Sequence, residues 1–221
     1  MVSQTFQFLK INVKRVKFMK SIDPQHLSIK ENYKFLTGSI IPRPIAFVST
    51  LSKDGVLNAA PFSYFNALTS NPPLIAISIG RKDGVQKDTS RNAEATGEFV
   101  VHIPDESYIE AVNQTAANLG PAESEVELAK LTTVQSVKVK VPGIAESKIR
   151  MECVVERIIP LGGESDKPAT DLLIGKVVHY HIADELYQDG RIDAEKLQPV
   201  GRLAGSNYVK LGETFSLDRP K

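Results

Sequence analysis

The chain has 221 residues, of which 42% are hydrophobic and 24% charged, and its formal net charge at pH 7 is +1. A chain of this size forms one globular domain, or one domain with an extension. The small net charge argues against a general nucleic-acid binder, which needs a basic excess to neutralise phosphates. The single cysteine, Cys153, excludes an internal disulfide framework and a four-thiolate metal site, and its apolar neighbours favour a packed thiol.

The N-terminal segment, residues 1–20, is basic, but it lacks the unbroken apolar stretch and the small-residue cleavage site of a secretory signal. No other stretch of the sequence is long and apolar enough to span a bilayer. We therefore expect a cytoplasmic protein with neither a membrane nor a nucleic acid as partner. Residues 1–20 are expected to form an N-terminal extension. This extension is expected to be disordered or to be an artefact of the assigned translation start, because Met19 offers a second start. Residues 21–221 are expected to form one domain.

From Tyr33 onward, strand signals dominate the sequence. Residues 43–52 are rich in β-branched and aromatic side chains and precede a Lys-Asp-Gly turn signal, so a hairpin with residues 56–65 is predicted. Residues 73–80 are apolar on both faces, which is typical of a strand in the interior of a sheet. Further strands are predicted over residues 97–104, 147–162 and 170–184.

Helical spacing occurs in three places. Residues 84–97 are predicted to form a short helix that ends at Gly97. Residues 105–120 place apolar side chains on one face, with Asp105 as the N-cap and Gly120 as the C-terminal stop. Residues 122–131 are predicted to form a shorter third helix. Many strands with few, irregularly placed helices favour an antiparallel barrel or sandwich decorated by helices.

Several familiar motifs are missing from the sequence. There is no G-x-G-x-x-G, no P-loop and no H-E-x-x-H, so neither a dinucleotide-binding helix nor a zinc protease is indicated. His179 and His181 project from one face of a predicted strand and could begin a metal site, but no further ligand has a spacing that favours it. We interpret the pair as part of a pocket or an interface, and we expect no metal.

Residues 81–92, RKDGVQKDTSRN, contain four cations and two carboxylates between two apolar runs. A buried strand that ends at Gly80 and leads through a basic turn into a helix N-terminus is a good phosphate-binding arrangement. Glycine lets backbone N–H groups approach, the helix end carries partial positive charge, and Arg81 and Lys87 add full charges. A solvated charged loop explains the same residues. The stretch taken alone leaves both alternatives open.

Three sequence motifs together resemble the flavin reductase-like, FMN-binding split-barrel family. They are RPIAFVST at residues 43–50, NAAPFSYFNAL at 58–68 and KDTSRN at 87–92, and GRLAGSNY at 201–208 extends the resemblance towards the C-terminus. The resemblance covers the chain from about residue 23 onward. It implies a mainly β fold, a six-stranded antiparallel split barrel with a few decorating helices, and a homodimer that holds FMN near the subunit interface.

The resemblance also implies a set of flavin-binding residues. Three would lie along the ring and ribityl chain, three would contact the flavin from the next strand and turn, two would offer backbone contacts, and four would surround the phosphate. In that order they are Ser49, Thr50 and Leu51; Ala60, Ser63 and Asn66; Ile79 and Gly80; and Arg81, Lys87, Asp88 and Thr89.

No catalytic side chain is required, because a flavin accepts a hydride at its own ring and the protein binds, orients and tunes it. The function implied is an oxidoreductase that takes a hydride from NADH or NADPH and passes electrons through FMN to free flavin, another acceptor or a partner oxygenase. Two alternatives stay open: an FMN electron carrier of the flavoredoxin type with little nicotinamide turnover, and a binding protein that has lost FMN. Retention of Lys87 and Thr89 argues against the last of these.

Overall fold

The computed structural model describes residues 19–120, 122–164 and 166–220, and the expected extension at residues 1–18 lies outside them. The described residues form α-helices, two short 3-10 helices at Pro24–His26 and Asp184–Leu186, and β-strands. The helices are α1 (Ile29–Ser39), α2 (Asp88–Thr96), α3 (Ile109–Gln114), α4 (Glu125–Leu128) and α5 (Ala194–Leu197). The strands are β1 (Ala46–Leu51), β2 (Leu57–Phe62), β3 (Phe65–Ser70), β4 (Pro73–Gly80), β5 (Glu98–His102), β6 (Thr133–Val134), β7 (Gly143–Ile144), β8 (Ile149–Leu161), β9 (Thr170–Ile182), β10 (Tyr187–Gln188), β11 (Arg191–Ile192), β12 (Val200–Arg202) and β13 (Tyr208–Lys210).

One antiparallel sheet of seven strands dominates the molecule, in the order β2-β1-β5-β8-β9-β4-β3. Its two edge strands, β2 and β3, are consecutive in the chain and separated only by residues 63–64. The chain therefore connects the two edges of the sheet directly, through the short bend between β2 and β3. The mainly β, antiparallel prediction is confirmed, as is the β1–β2 hairpin, which pairs Ala46 with Phe62 and Leu51 with Leu57. The 73–80 strand lies inside the sheet, between β9 and β3, as predicted.

Alternate residues of the strands fill two separate cores. Val48, Ile77, Phe99 and Leu173, all fully buried, belong to the larger cluster enclosed by the sheet. Phe47, which alternates with Val48 on β1, packs on the opposite face of the strand in a second cluster with residues of α3 and α4. This two-sided burial explains why β1 reads as a continuous apolar run, and it fixes the short helices against the outside of β1 and β2.

Close packing across the sheet requires a glycine on β9. A Cβ at Gly175 would lie 2.2 Å from Cζ of Phe99, so the aromatic ring of β5 occupies the space that any side chain at residue 175 would need. The pairing of β8 with β9 also shifts register twice, between Glu152 and Cys153 and between Val155 and Arg157. Such irregularities bend long strands, which allows the sheet to curve around its core.

The helices differ from the prediction in several respects. The helix predicted over residues 84–97 begins only at Asp88, and the one predicted over residues 122–131 is limited to Glu125–Leu128. We predicted no helix before β1, yet α1 begins with a capping box in which Ser28 and Glu31 bond each other's backbone N–H groups. The predicted helix over residues 105–120 is wrong in its bounds, because α3 begins after Tyr108 and ends at Gln114. Asp105 does not cap it, since its carboxylate accepts from the N–H and the hydroxyl of Ser107 instead. The predicted end of α2 is confirmed: Gly97 has φ 75°, the left-handed conformation that stops a helix.

Buried titratable groups of the sheet are fully engaged in hydrogen bonds. Nδ1 of His102 bonds the carbonyl of Phe47 at 2.9 Å, and its Nε2 accepts from the N–H of Ile144 at 2.9 Å. Burial lowers the pKa of His102 to about 4, so the ring is neutral at pH 7. Cys153 is also buried, and burial raises the pKa of its thiol, which confirms a packed rather than reactive cysteine.

The His179–His181 pair lies on the outer part of β9, with ring centroids 4.7 Å apart. His181 Nε2 lies 2.6 Å from Oε1 of the buried Glu152, whose two oxygens also accept three N–H groups of residues 137–139. Burial opposes ionisation of Glu152, but these hydrogen bonds outweigh it and lower its pKa to about 2. His181 thus helps to hold a loop. The described part of the chain contains no group of three or more His, Cys, Asp and Glu side chains arranged for a metal ion.

Candidate functional site

A cleft of about 480 Å³ opens at the outer end of β2. Its walls come from four parts of the chain: residues 58–62 of β2, residues 82–89, residues 115–119 after α3, and Glu125 of α4. The cleft therefore lies where the basic stretch meets the first hairpin and the outer helices. Among the helices of the described residues, none is long and apolar enough to cross a membrane.

The basic stretch folds as a two-residue turn followed by α2. Lys82 and Val85 exchange backbone hydrogen bonds of 3.1 and 2.9 Å, which closes a small hairpin beyond the end of β4. Asp83 and Gly84 between them have φ values of 52° and 79°. A type I′ turn needs positive φ at both central residues, and Asp-Gly is a preferred pair for it. The turn directs the chain back across the cleft before α2 begins at Asp88.

Arg81 points away from the cleft and is committed to the sheet. Its Nε and Nη2 donate to Oδ1 of Asp171 on β9 at 3.0 and 2.5 Å, and its Nη1 donates to the carbonyl of Gly84. Ser90 donates to the other oxygen of Asp171 at 2.9 Å. Asp171 is fully buried. Arg81 neutralises the charge of this buried carboxylate, and Ser90 provides a hydrogen bond to its second oxygen.

Lys87 lies at the opposite end of the same stretch and faces the cleft. It is the residue before α2, its side chain is exposed, and its Nζ lies 5.9 Å from the ring centroid of Phe62. The first N–H groups of a helix have no intrahelical partner, so α2 presents backbone donors beside this ammonium group. Asp88, the first helical residue, is paired with Arg91 one turn later, which reduces the negative charge at the helix end. Lys87 and the start of α2 therefore form an anion-binding corner.

A buried polar network supports this corner from behind. The hydroxyl of Thr89, which is 1% exposed, donates to Oδ1 of Asn58 at 3.0 Å. Asn58 Nδ2 donates to Oε2 of Glu125 at 2.9 Å. Thr50 lies 3.3 Å from Asn58 Oδ1 and accepts from Asn92 at 3.3 Å. The network fixes the first turn of α2 against β1 and β2, so the corner is rigid.

Glu125 is the one carboxylate of this network, and among the described residues it has no cationic partner within ion-pair distance. Burial raises the pKa of Glu125, and the nearby negative charge of Asp88 raises it further. Hydrogen bonds from Asn58 and from the N–H of Ala59 act in the opposite direction. An acid of this kind keeps its proton to a higher pH than an exposed carboxyl group does.

The structure brings together only part of the predicted flavin-binding set. Four of its members line the cleft, and Thr50 lies directly behind it in the polar network. The four are Ala60, Lys87, Asp88 and Thr89.

The other predicted residues lie elsewhere. Ser49 faces away from the cleft, and its hydroxyl donates to the carbonyl of Pro142 at 2.8 Å. Leu51 packs against a small cluster around Val100, and Ile79 is fully buried in the main core. Ser63 and Asn66 line a separate apolar pocket beside α1, Gly80 closes β4, and Arg81 pairs with Asp171.

Sequence reasoning missed two polar residues of the cleft. Asn58 was quoted for the resemblance but given no role, and Glu125 was treated only as part of a helix. Their hydrogen bond joins residues 67 positions apart in the chain. No local pattern predicts such a pair. Only the arrangement of α4 against β2 brings them together.

Comparison with known proteins identifies the family of this fold. The model of the family described as "Flavin reductase like domain" matches residues 37–196, which is more than half of the chain. The crystal structure of nitrilotriacetate monooxygenase component B from Bacillus cereus is 63% identical in sequence and superimposes with a TM-score of 0.90. That match covers 90% of this chain and 99% of the other.

Two further solved structures extend the comparison. The 2-nitrobenzoate 2-nitroreductase of Pseudomonas fluorescens is 30% identical, with a TM-score of 0.81 over 91% of this chain and 96% of the other. A protein with a split barrel domain from Shewanella frigidimarina is 22% identical, with a TM-score of 0.77 over 89% of this chain and 96% of the other. At that identity the likeness concerns the fold alone. The predicted split-barrel architecture is confirmed.

Proposed function

The chain belongs to the flavin reductase-like family, and from that premise we propose that it binds FMN in the cleft and passes electrons from NADH or NADPH through the flavin to an acceptor. The observation that carries the proposal is the anion-binding corner, where Lys87 and the first turn of α2 meet open space. A phosphate monoester is the part of FMN that such a corner suits.

The donor set of the cleft fits this cofactor. The volume of about 480 Å³ lies within the roughly 300–1,000 Å³ range of small-molecule pockets. Ala60, Pro61 and Phe62 give the cleft an apolar wall for an aromatic ring system. The ammonium group of Lys87 lies beside this wall, 5.9 Å from the ring centroid of Phe62, next to the first N–H groups of α2. Thr89 keeps its hydroxyl on Asn58, so its contribution to a phosphate is the backbone N–H at the second helical position.

Bound FMN supplies the hydride and electron chemistry at its own ring. The chain's own residues then bind and orient. Lys87 and the α2 N–H groups hold the phosphate, and the Thr89–Asn58–Glu125 contacts keep the helix end in place. Arg81, which the resemblance assigned to the phosphate, would act indirectly by fixing the turn through Asp171 and Gly84.

The acceptor we propose is free flavin or a partner oxygenase. The relative with 63% identity is named as component B of a monooxygenase, which supports a role in supplying reduced flavin to a separate oxygenase. The 2-nitrobenzoate 2-nitroreductase relative is named for reduction of a small molecule. Both names describe redox chemistry, so we propose oxidoreductase activity. The alternative that the test must distinguish is an FMN electron carrier with little nicotinamide turnover.

Two measurements test the proposal together. Titration of flavin fluorescence is expected to give tighter binding of FMN than of riboflavin, because only FMN carries the phosphate. Steady-state oxidation of NADH and of NADPH is expected to require added FMN. Equal affinity for the two flavins would show that the anion-binding corner does not bind the phosphate. Tight FMN binding without nicotinamide oxidation would replace the reductase by an electron carrier.

We also propose that the protein is a homodimer. Large apolar side chains are exposed on α1 and on β3, including Ile29 at 92%, Leu36 at 54% and Leu68 at 51%. A patch of this kind on a small domain is typical of an interface, and a second copy presents the same patch. Sedimentation of the FMN-loaded protein at micromolar concentration is expected to show a dimer, and Leu36→Asp is expected to weaken it. A wild-type monomer under these conditions would contradict the proposal.

A further inference from the structure

A second cavity, of about 250 Å³, lies beside the cleft. The two share Pro61, Phe62 and Ala116 in their linings, so they meet at a common wall at the end of β2. The smaller cavity has apolar walls and two arginines, Arg43 and Arg202, and no aspartate or glutamate lines it. We call it the arginine pocket. Its lining also includes Ile45, Phe62, Asn113 and Tyr208.

The two arginines lie directly opposite each other. Arg43 and Arg202 exchange both backbone hydrogen bonds, at 3.0 and 2.8 Å, as an isolated antiparallel bridge. Residues paired in this way project their side chains to the same face. Like charges in directly opposed positions destabilise a sheet. A pairing that costs stability and lines a cavity points to a ligand rather than to a structural requirement.

The charge of Arg43 has no carboxylate partner among the described residues. Arg43 is only 6% exposed, and buried guanidinium groups are normally paired with an acid. Its Nη1 donates to the carbonyls of Thr37 and Ile40, its Nη2 to Leu203, and its Nε to the hydroxyl of Ser63. All these acceptors are neutral. They hold the guanidinium in place without cancelling its charge.

Arg202 lies over an aromatic ring. Its guanidinium carbon lies 4.4 Å from the ring centroid of Tyr208, and its Nη2 donates to the carbonyl of Gly205 at 2.6 Å. The Tyr208 hydroxyl in turn donates to Oδ1 of Asn113 at 2.9 Å. A stacked guanidinium keeps its remaining N–H groups in a fixed plane, which suits a planar anion.

We propose that the arginine pocket binds the carboxylate of a small, planar, apolar acid. The carboxylate would accept from the planar fork of Arg202 and from the one Nη2–H of Arg43 that its four protein contacts leave over. The apolar body of the acid would lie against Ile45 and Phe62 and point towards the cleft. Binding of the acid follows from the pocket alone. Its position next to a flavin rests on the proposed function.

The test uses benzoate as the probe and benzamide as its neutral isostere, titrated calorimetrically into the FMN-loaded and the flavin-free protein. Benzoate is expected to bind about tenfold or more tightly than benzamide, because only the anion matches two unneutralised cations. In the FMN-loaded protein, benzoate is also expected to shift the visible absorption of the flavin. Equal affinities for benzoate and benzamide would overturn the proposal. Benzoate binding without a flavin shift would overturn the position next to the cleft.

Variants locate the site. Arg202→Gln is expected to weaken benzoate binding about tenfold, whereas Arg157→Gln, at an exposed position on β8, is expected to leave it unchanged. Equal effects of the two variants would place benzoate elsewhere. Circular dichroism checks that Arg202→Gln is folded, and Arg202→Lys, which keeps the charge but loses the planar fork, replaces it if it is not.

Flavin titrations of the same variants separate this proposal from the proposed function. Arg202→Gln is expected to keep the preference of the protein for FMN over riboflavin. Loss of that preference would mean that the arginines hold the flavin phosphate, which overturns the acid site. If the wild-type protein binds no FMN, the proposed function fails, and the calorimetric titration of the flavin-free protein still decides whether the pocket takes the acid.

Discussion

Charged groups within the sheet and charged groups around the cleft are arranged in opposite ways. Within the sheet, Asp171 is fully buried and accepts from Arg81 and Ser90, and Glu152 accepts from His181 and three backbone N–H groups. At the cleft, Lys87 faces open space. The charges of Asp171 and Glu152 are satisfied by the protein itself, whereas the ammonium group of Lys87 is available to a ligand.

The difference matters most within the basic stretch, where Arg81 and Lys87 are only six residues apart. In the sequence both are cations near a helix start. In the structure Arg81 balances a buried carboxylate, while Lys87 lies in the anion-binding corner. Substitution of Arg81 should therefore lower the free energy of unfolding, and substitution of Lys87 should weaken ligand binding.

The largest effect is expected for Asp171→Asn. The change leaves Arg81 beside the sheet without its counter-charge, and breaking a buried ion pair costs about 3–5 kcal/mol in free energy of unfolding. Urea denaturation measures it. Glu106→Gln is the control, because the Glu106–Lys210 pair is exposed at the lysine (71%) and such pairs contribute roughly 0–1 kcal/mol. Similar losses for the two variants would show that Asp171 is not a structural anchor.

The second effect is a loss of stability in mild acid through His102. Burial lowers the pKa of His102 from 6.5 to about 4, so between these values the unfolded chain binds the proton more readily than the folded one. The contribution of neutral His102 to the free energy of unfolding is therefore fully present above pH 6.5. It is lost as the pH drops towards 4, by roughly 3 kcal/mol in total.

Urea denaturation at a series of pH values checks the role of His102. The wild-type protein should lose more stability than His102→Gln over the same pH range, because the variant lacks the titrating ring. Subtraction of the two curves removes the contributions of carboxyl groups that both proteins share. Parallel curves would mean that His102 does not titrate with the expected shift.

A smaller effect, confined to binding, is expected for Lys87→Ala. Loss of a hydrogen bond to a charged group should weaken FMN binding by about 1.5–3 kcal/mol, and the loss should shrink at high salt. Riboflavin affinity should hardly change, because riboflavin has no phosphate. Lys176→Ala, at an exposed position on β9, is the matched control. Comparable losses for FMN and riboflavin in Lys87→Ala would return residues 81–92 to the solvated-loop interpretation.

The smallest effect is expected from deletion of residues 1–18. They precede both the family match, which begins at residue 37, and the described part of the chain. The truncated protein should have the same thermal midpoint and the same FMN affinity as the full chain. Insolubility or loss of flavin binding would show that the extension packs on the domain.

Much of the fold was predictable because it depends on local patterns. Alternating and continuous apolar runs located the strands of the sheet, and Gly97 marked the end of α2. The bounds of α3 were not predictable from helical spacing alone, since Asp105 is used in a turn with Ser107. The capping box of α1 is present in the sequence at Ser28 and Glu31, so the start of this helix was predictable, although our prediction did not include it.

For the site, the sequence alone indicates which groups gather at the start of α2: a lysine, a threonine and the free N–H groups of a helix. Which of the charges remain available to a ligand depends on the tertiary structure. Arg81 meets Asp171 across 90 residues, and Arg43 meets Arg202 through a bridge between β12 and the segment before β1. Local rules describe neighbours within about one helical turn or one strand pair. Pairing between segments that are distant in the chain brings such residues together, and these pairings determine which charges are neutralised by the protein and which face a ligand.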